Sequence, residues 1–238
     1  MKKFILSAGF TKFVRYCLDN LLPPIIRDSK LFMTIPLKVG LGNRVDFFNN
    51  FRQKGYISSI EFNDHYNRFI GYDRKIDITV HGVDFIKKNI VGQSVLDVGC
   101  GNGFLAKILS EGGANITGID ISLNKNLKNV KNRNLHYIEG DAESLPFDDC
   151  EFDTVVSAAV LEHVLNPTKM IQEMRRVCKK RLILVVPRER EYRYGFNNHI
   201  RFFPYIYSLQ RLMNNDGDYS KTTMGEHFYY EDKKKNES

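Results

Sequence analysis

From residue 76 onward, short apolar runs alternate with longer stretches in which apolar residues recur every three or four positions. The spacing predicts a helix over 77–90 (DITVHGVDFIKKNI), a strand at SVLDVG, and a helix near 103–111, where Gly112 or Gly113 of EGGA can take the left-handed C-terminal position. NITGID follows as a second strand, then ISLNKNLKNVKNR as a helix with Ser122 as its cap. LHYIEGD and EFDTVVSAA read as the third and fourth strands. NPTKMIQEMRRVCKK reads as a helix with Asn166 as cap and Pro167 in the first turn, and RLILVVP as a fifth strand closed by Pro187. Strands alternating with helices of this length predict an α/β fold, a parallel sheet with helices on both faces.

The flanks break this rhythm. Residues 1–75 hold Pro23, Pro24, Pro36 and many aromatics, and predict a helical extension. Its basic start presents Leu6, Phe10, Phe13, Val14, Cys17 and Leu21 along one side. After Pro187 comes an aromatic, polar segment with a helix near 204–214. Beyond it one strand, about 222–230, fits the remaining chain and two do not. The expected organisation is therefore an extension or lid over 1–75, an α/β domain over 76–230 and a disordered charged tail, EDKKKNES, over 231–238. An incomplete sheet edge would be filled by the extension or by a second copy in a homodimer.

Composition narrows the setting. The 238 residues are 42% apolar, enough for a core, and contain no apolar run of membrane-spanning length. The first few residues resemble a signal peptide, but Lys12 and Arg15 interrupt the apolar stretch and no small-residue cleavage site follows. Cys17, Cys100, Cys150 and Cys178 lack metal-ligand spacing, so free thiols in the cytoplasm and no metal are expected. The formal charge of +7 suits an anionic partner: a membrane surface, a phosphorylated substrate or RNA. A Lys-rich solvated surface explains it equally simply.

The candidate chemistry begins at DVGCGNG. Gly99, Gly101 and Gly103 would form the turn from the first strand into its helix, where open parallel sheets bind ligands. A dinucleotide site wants G-x-G-x-x-G and an anionic pyrophosphate there. Here Asp97 stands two places before the first glycine, which disfavours an anion and suits a cation.

VLDVGCGNG resembles the first motif of the class I S-adenosylmethionine-dependent methyltransferases. GIDIS, EGDAESLPFDDCEFDTVVSAAVLEHV and RLILVVP resemble the later motifs, in the family's order and spacing, over about residues 76–190. The pattern is nearest the small-molecule subgroup that includes quinone-biosynthesis enzymes. The resemblance implies a Rossmann-like sheet with S-adenosyl-L-methionine as cofactor. It implies that Gly99 and Gly101 line the methionine part, with Asp97 acting through its ammonium. Asp120 would accept the ribose hydroxyls and Ile121 pack on adenine. Asp141 and the backbone of Ala142 would sit by the adenine amino group, and Ser157 beneath the methyl donor. In LEHV, His163 is a candidate base or substrate-orienting group, and Glu162 a weaker one.

Specificity in this family usually lies outside the motifs. Tyr66 and Arg68, in a lid-like segment over 61–75, and His199 and Arg201, in NNHIRFFP, are the substrate candidates. LDNLLPPIIRDSKLFM resembles the leader of methyltransferases of bacterial surface-glycan pathways, which implies a sugar or lipid-linked saccharide acceptor. The amphipathic start would then meet the inner face of a membrane. A quinone or lipid acceptor is the alternative. RNA is disfavoured: no separate RNA-binding module is evident and an N-P-P-Y motif is absent. A non-catalytic cofactor-binding protein is the remaining reading.

Overall fold

The computed structural model describes residues 16–41 except 19, isolated positions 54, 57, 58 and 61, and residues 78–233 with short gaps at 125, 128–129, 131, 195–198, 215–216, 218 and 226. The lid-like segment that carries Tyr66 and Arg68 lies outside the described residues, as does most of the basic start.

Seven strands make one sheet: β1 Ser94–Val98, β2 Asn115–Asp120, β3 Leu135–Glu139, β4 Phe152–Ala158, β5 Cys178–Pro187, β6 Tyr219–Met224 and β7 His227–Lys233. Their order is β3-β2-β1-β4-β5-β7-β6. The first five are parallel, and β7 runs antiparallel to β5 and β6. The order in which strands are added reverses between β1 and β4, so the carboxyl ends of these two parallel strands open the crevice where such folds bind ligands.

Among the described residues, α1 Pro24–Arg27 and α2 Lys30–Leu41 precede the sheet, after helical residues at 16–18 and 20. Four belong to it: α3 Val80–Asn89, α4 Phe104–Ser110, α5 Pro167–Val177 and α6 Ile206–Met213. α3 and α4 bury Val83, Ile86, Leu105 and Leu109 on one face with Val95, Ile116, Ile183 and Tyr229. α5 and α6 bury Met170, Ile171, Met174, Val177, Leu209 and Met213 on the other. The apolar stripe of α5 has the period of a half-buried helix. Asn166 caps it as expected, its side chain accepting from the Lys169 N–H at 3.1 Å. The extension forms a satellite cluster: Leu18, Met33 and Leu37 pack on Tyr194, and Arg27 lies over the Tyr192 ring.

Three expectations are corrected. ISLNKNLKNVKNR forms no helix among its described residues. Asn124 and Asn132 accept from the backbone N–H of Asn126 and Asn134, and Asp120, not a helix end, engages Ser122. Asparagines compete for backbone donors in this way, and a segment rich in them turns instead of coiling. The far edge of the sheet holds two strands of this chain where one was expected. β6 and β7 pair through a tight turn with Gly225 at φ +59°, and β7 extends the sheet beyond β5. The tail expected to be disordered from 231 begins inside β7, where Glu231 and Asp232 are buried. Arg181 pairs with Glu231 at 2.8 Å and Arg175 with Asp232 at 3.1 Å. These opposite charges let acidic residues end a buried strand.

Candidate functional site

The turn after β1 rests on three glycines with left-handed backbone: Gly99 (φ +77°), Gly101 (+54°) and Gly103 (+74°). A side chain at Gly99 would start 2.2 Å from Val160, and one at Gly103 2.5 Å from the Tyr137 hydroxyl, which donates to the Gly103 carbonyl at 3.0 Å. At Gly101 nothing lies within 4 Å. Two of the glycines are thus required by packing, and the third presents bare backbone to open space. The turn is tied to β2, whose Ile119 carbonyl accepts from the N–H of Gly99 (2.8 Å) and of Cys100 (3.0 Å).

Asp97 ends its strand 2% exposed. The Ala106 N–H bonds to its carboxylate, and Oδ2 has no hydrogen-bond partner among the described residues. Burial pushes its carboxyl up to about 7, with the nearby Asp120 charge adding to the rise. Asp120 is 6% exposed. Its Oδ2 accepts from the Gly101 N–H at 2.8 Å and its Oδ1 from the Ser122 N–H at 3.2 Å. Burial pushes this carboxyl up as well, opposed by those backbone bonds. The Ile121 N–H is a third backbone donor to this carboxylate. Cys100, packed between these acids, is held as the thiol by burial.

Around this acidic floor stand apolar groups open to solvent: Ile121 is 42% and Phe104 41% exposed. Asp141 is exposed beyond β3, its Oδ1 accepting from the Glu143 N–H at 2.8 Å, while Ala142 packs against the core. Arg176 holds this loop against α5, donating to the carbonyls of Phe147 (2.7 Å) and Leu145 (2.9 Å). An orphaned buried carboxylate oxygen, a side-chain-free approach over Gly101 and two uncovered apolar side chains fit a cationic ligand that carries an apolar ring. Ser157 differs from its neighbours. It is 1% exposed and its hydroxyl donates to the Val98 carbonyl at 3.0 Å, so the side chain locks β4 to β1. Asp153, near the start of β4, has a structural role: it accepts from the N–H of Gln93 and Ser94, pairs with Lys180, and is held at about 2.

A second group of polar side chains gathers beyond β4. Ala159 leaves that strand with φ +58°, and Leu161–His163 follow as a single tight turn. The Glu162 carbonyl accepts from the N–H of Ile200 (3.0 Å) and Arg201 (3.2 Å), which brings NNHIRFFP onto LEHV. His163 and His199 meet edge to face, 4.7 Å between ring centres. Buried Glu189 reaches His199 Nδ1 at 2.5 Å. Nothing in the sequence marks Glu189, which follows a strand by two residues in a run of alternating charges. Arg201 turns inward: its guanidinium donates to the Leu165 carbonyl at 2.6 Å. It therefore staples a loop in place of reaching outward. Beside it lies a cleft of about 320 Å³ lined by Glu191, Ile200, Phe202 and Leu212, among others, with a smaller one of about 100 Å³ that includes His199.

Comparison with known proteins supplies a context. Residues 96–186 match the family model described as a methyltransferase domain. The chain is 36% identical over 128 residues to the chloroplastic 2-phytyl-1,4-beta-naphthoquinone methyltransferase of Arabidopsis thaliana, covering 45% of this chain and 49% of the relative. It is 40% identical over 86 residues to a ubiquinone biosynthesis O-methyltransferase of Coxiella burnetii, covering 34% and 37%. The chain thus spans less than half the length of these curated relatives. Among solved structures, a methyltransferase from an antibiotic biosynthesis pathway of Anabaena variabilis superposes with a TM-score of 0.52 at 21% identity, over 62% of this chain and 65% of the other. An S-adenosylmethionine-dependent methyltransferase of Thermotoga maritima gives 0.52 at 20%, over 64% and 87%. At these identities the structures establish a shared fold.

Proposed function

We propose that this chain, whose residues 96–186 match a methyltransferase domain, is a class I S-adenosylmethionine-dependent methyltransferase that binds S-adenosyl-L-methionine at the glycine turn and transfers the methyl group to an oxygen of a small-molecule acceptor. The observation that carries this reading is the buried, unpartnered Oδ2 of Asp97 at the end of the strand that leads into the bare Gly101 backbone. A cationic ligand there recovers the energy that burial takes from the carboxylate.

Asp97 would hold the ammonium of the methionine part, and Gly99 and Gly101 would let it lie on the main chain. Asp120 would accept from the ribose hydroxyls while keeping its grip on the turn. Ile121 would cover the adenine, and Asp141 with the Ala142 backbone would meet its amino group. Bound there, the sulfonium supplies an already activated methyl. The protein's part is then chiefly alignment of donor and acceptor, which can account for most of the acceleration. An acceptor hydroxyl must also lose a proton, and His163, half-buried against the His199 ring, is proposed to take it. His199 is held in place by Glu189 and would orient the acceptor.

For the acceptor, the names of the two relatives support a prenylated quinone precursor. A sugar or lipid-linked saccharide rests on the leader resemblance over 18–33. Both acceptors are amphiphilic, and both suit contact of the extension with a membrane surface. Leu21, Ile25, Leu31 and Ile35 are 63%, 83%, 87% and 72% exposed there, beside Lys30 and Lys38. No helix among the described residues is long and apolar enough to cross a membrane.

The test is a calorimetric titration with S-adenosylhomocysteine, followed by incubation with methyl-labelled donor and separated quinol, glycan and RNA fractions. Micromolar binding and label in the quinol fraction are expected. Absence of binding refutes the cofactor reading, and label in RNA alone refutes the acceptor reading.

A further inference from the structure

The polar cluster beyond β4 holds more than an orienting pair. We infer that Glu162, His163 and His199 form a binding site for a divalent transition-metal ion, with Glu189 as the group that orients His199. Each of the three offers a ligand atom, and these atoms all lie within 4.8 Å of one another. The chemistry of the set, two imidazoles and one carboxylate, is that of open zinc sites, in which three protein ligands leave the fourth position to water or substrate. Metal-ligand bonds of about 2.0–2.2 Å require the three atoms to draw together by roughly 1 Å.

Three features argue that the site is built. Glu162 is 1% and His199 6% exposed, so two of the three ligands are withdrawn from water on the protein's own account. The two segments that carry them are pinned together by backbone bonds from Ile200 and Arg201 to the Glu162 carbonyl. The Arg201 guanidinium on the Leu165 carbonyl and the Glu189 N–H on the Phe203 carbonyl (3.2 Å) add to that hold. Glu189 engages Nδ1 of His199, which turns Nε2 toward the cluster, and a carboxylate behind a histidine is the usual way a ligating ring is oriented. The four cysteines, where a sequence search for metal would begin, take no part in the site.

Ligation would occupy the His163 nitrogen that the proposed function assigns to the acceptor's proton. The inference therefore amends that role if both hold. It stands apart from the methyltransferase reading, because metal binding is measured without turnover.

The experiment uses the full chain, stripped with a chelator and titrated with zinc by calorimetry. Cobalt(II) serves as a spectroscopic probe, and a Cys150→Ser background removes the exposed thiol. One zinc per chain, and the visible absorption of cobalt in a four-coordinate nitrogen and oxygen site, are expected. His199→Ala should weaken zinc at least tenfold, and Glu189→Gln by about 10- to 100-fold through loss of ring orientation. His163→Gln, less buried, serves as the second ligand variant if His199→Ala does not fold. Circular dichroism and S-adenosylhomocysteine affinity are followed on the same samples, so loss of zinc with the fold and the cofactor site retained isolates this cluster. Zinc affinity unchanged in a folded ligand variant, or no zinc bound once Cys150 is replaced, overturns the inference.

Discussion

Replacing Asp97 by Asn tests the electrostatic basis of the site. A buried carboxyl whose pKa is raised binds its proton more tightly in the folded chain than in the unfolded one. The folded state therefore loses relative stability as pH rises from the unfolded pKa of 3.8 through the folded value of about 7. That interval, at ~1.4 kcal/mol per pH unit, amounts to roughly 4 kcal/mol above pH 7. Asparagine has the same shape and no charge, so it escapes this loss. Its amide meets the spot where Oδ2 has no partner, which costs about 1–3 kcal/mol. The net expectation is a variant more stable than the parent by about 1–3 kcal/mol at pH 8. At pH 4, where the parent's Asp97 is protonated in the folded chain and nearly half so in the unfolded one, the gain should disappear or change sign. Urea unfolding of the ligand-free protein and the variant across pH 4–8 measures this, with the urea dependence checked for constancy. The same variant should bind S-adenosylhomocysteine weakly, since a neutral amide cannot balance an ammonium. A stability difference that does not change with pH would refute the reasoning, because it would mean that Asp97 carries no charge penalty in the fold.

Other consequences can be measured alongside. Gly99→Ala, whose side chain would start 2.2 Å from Val160 on a left-handed backbone, should cost about 3 kcal/mol or more in chemical denaturation. Gly101→Ala should cost only the ~1–2 kcal/mol of backbone strain, yet weaken the cofactor in calorimetry, because its methyl group enters open space over the turn. Asp120→Ala should weaken cofactor binding by about 1–3 kcal/mol and also loosen the turn, seen as faster amide exchange at Gly101. Asp153, held at about 2 by Lys180 and two backbone donors, contributes stability that is complete above the unfolded pKa of 3.8 and lost as pH falls through about 2. Asp153→Asn should therefore destabilise the chain by about 1 kcal/mol at pH 7 and by less at pH 2 in thermal unfolding.

Much of the fold and of the cofactor region was legible along the chain, because each of those signals is local. Apolar runs of strand length delimit β1 to β5, and the end of each strand delivers Asp97, Asp120 and Asp141 to one edge of the sheet. A glycine density that no helix or strand tolerates marks the turn by itself. Asn166 and Pro167 announce α5 within one turn of the helix they start. Local rules failed where local bonds competed on nearly equal terms. The asparagines of 121–134 have an amphipathic spacing, yet they spend backbone donors on turns.

What tertiary structure alone decided concerns partners far apart in sequence. The chain after the helix near 204–214 read as room for one strand, not for the β6–β7 hairpin; Arg175 and Arg181, some 50 positions earlier, make its buried acids tolerable. Ser157 and Arg201 were legible as polar residues near the site, but only their neighbours, the carbonyls of Val98 and Leu165, show that both are engaged in holding the scaffold. Glu162, His163, Glu189 and His199 lie on segments separated by a helix and a strand, and no periodicity joins them. Local pattern determines which residues reach the edge of the sheet. Which of them meet is determined by chain crossings and backbone bonds between loops, and those depend on the packed sheet as a whole.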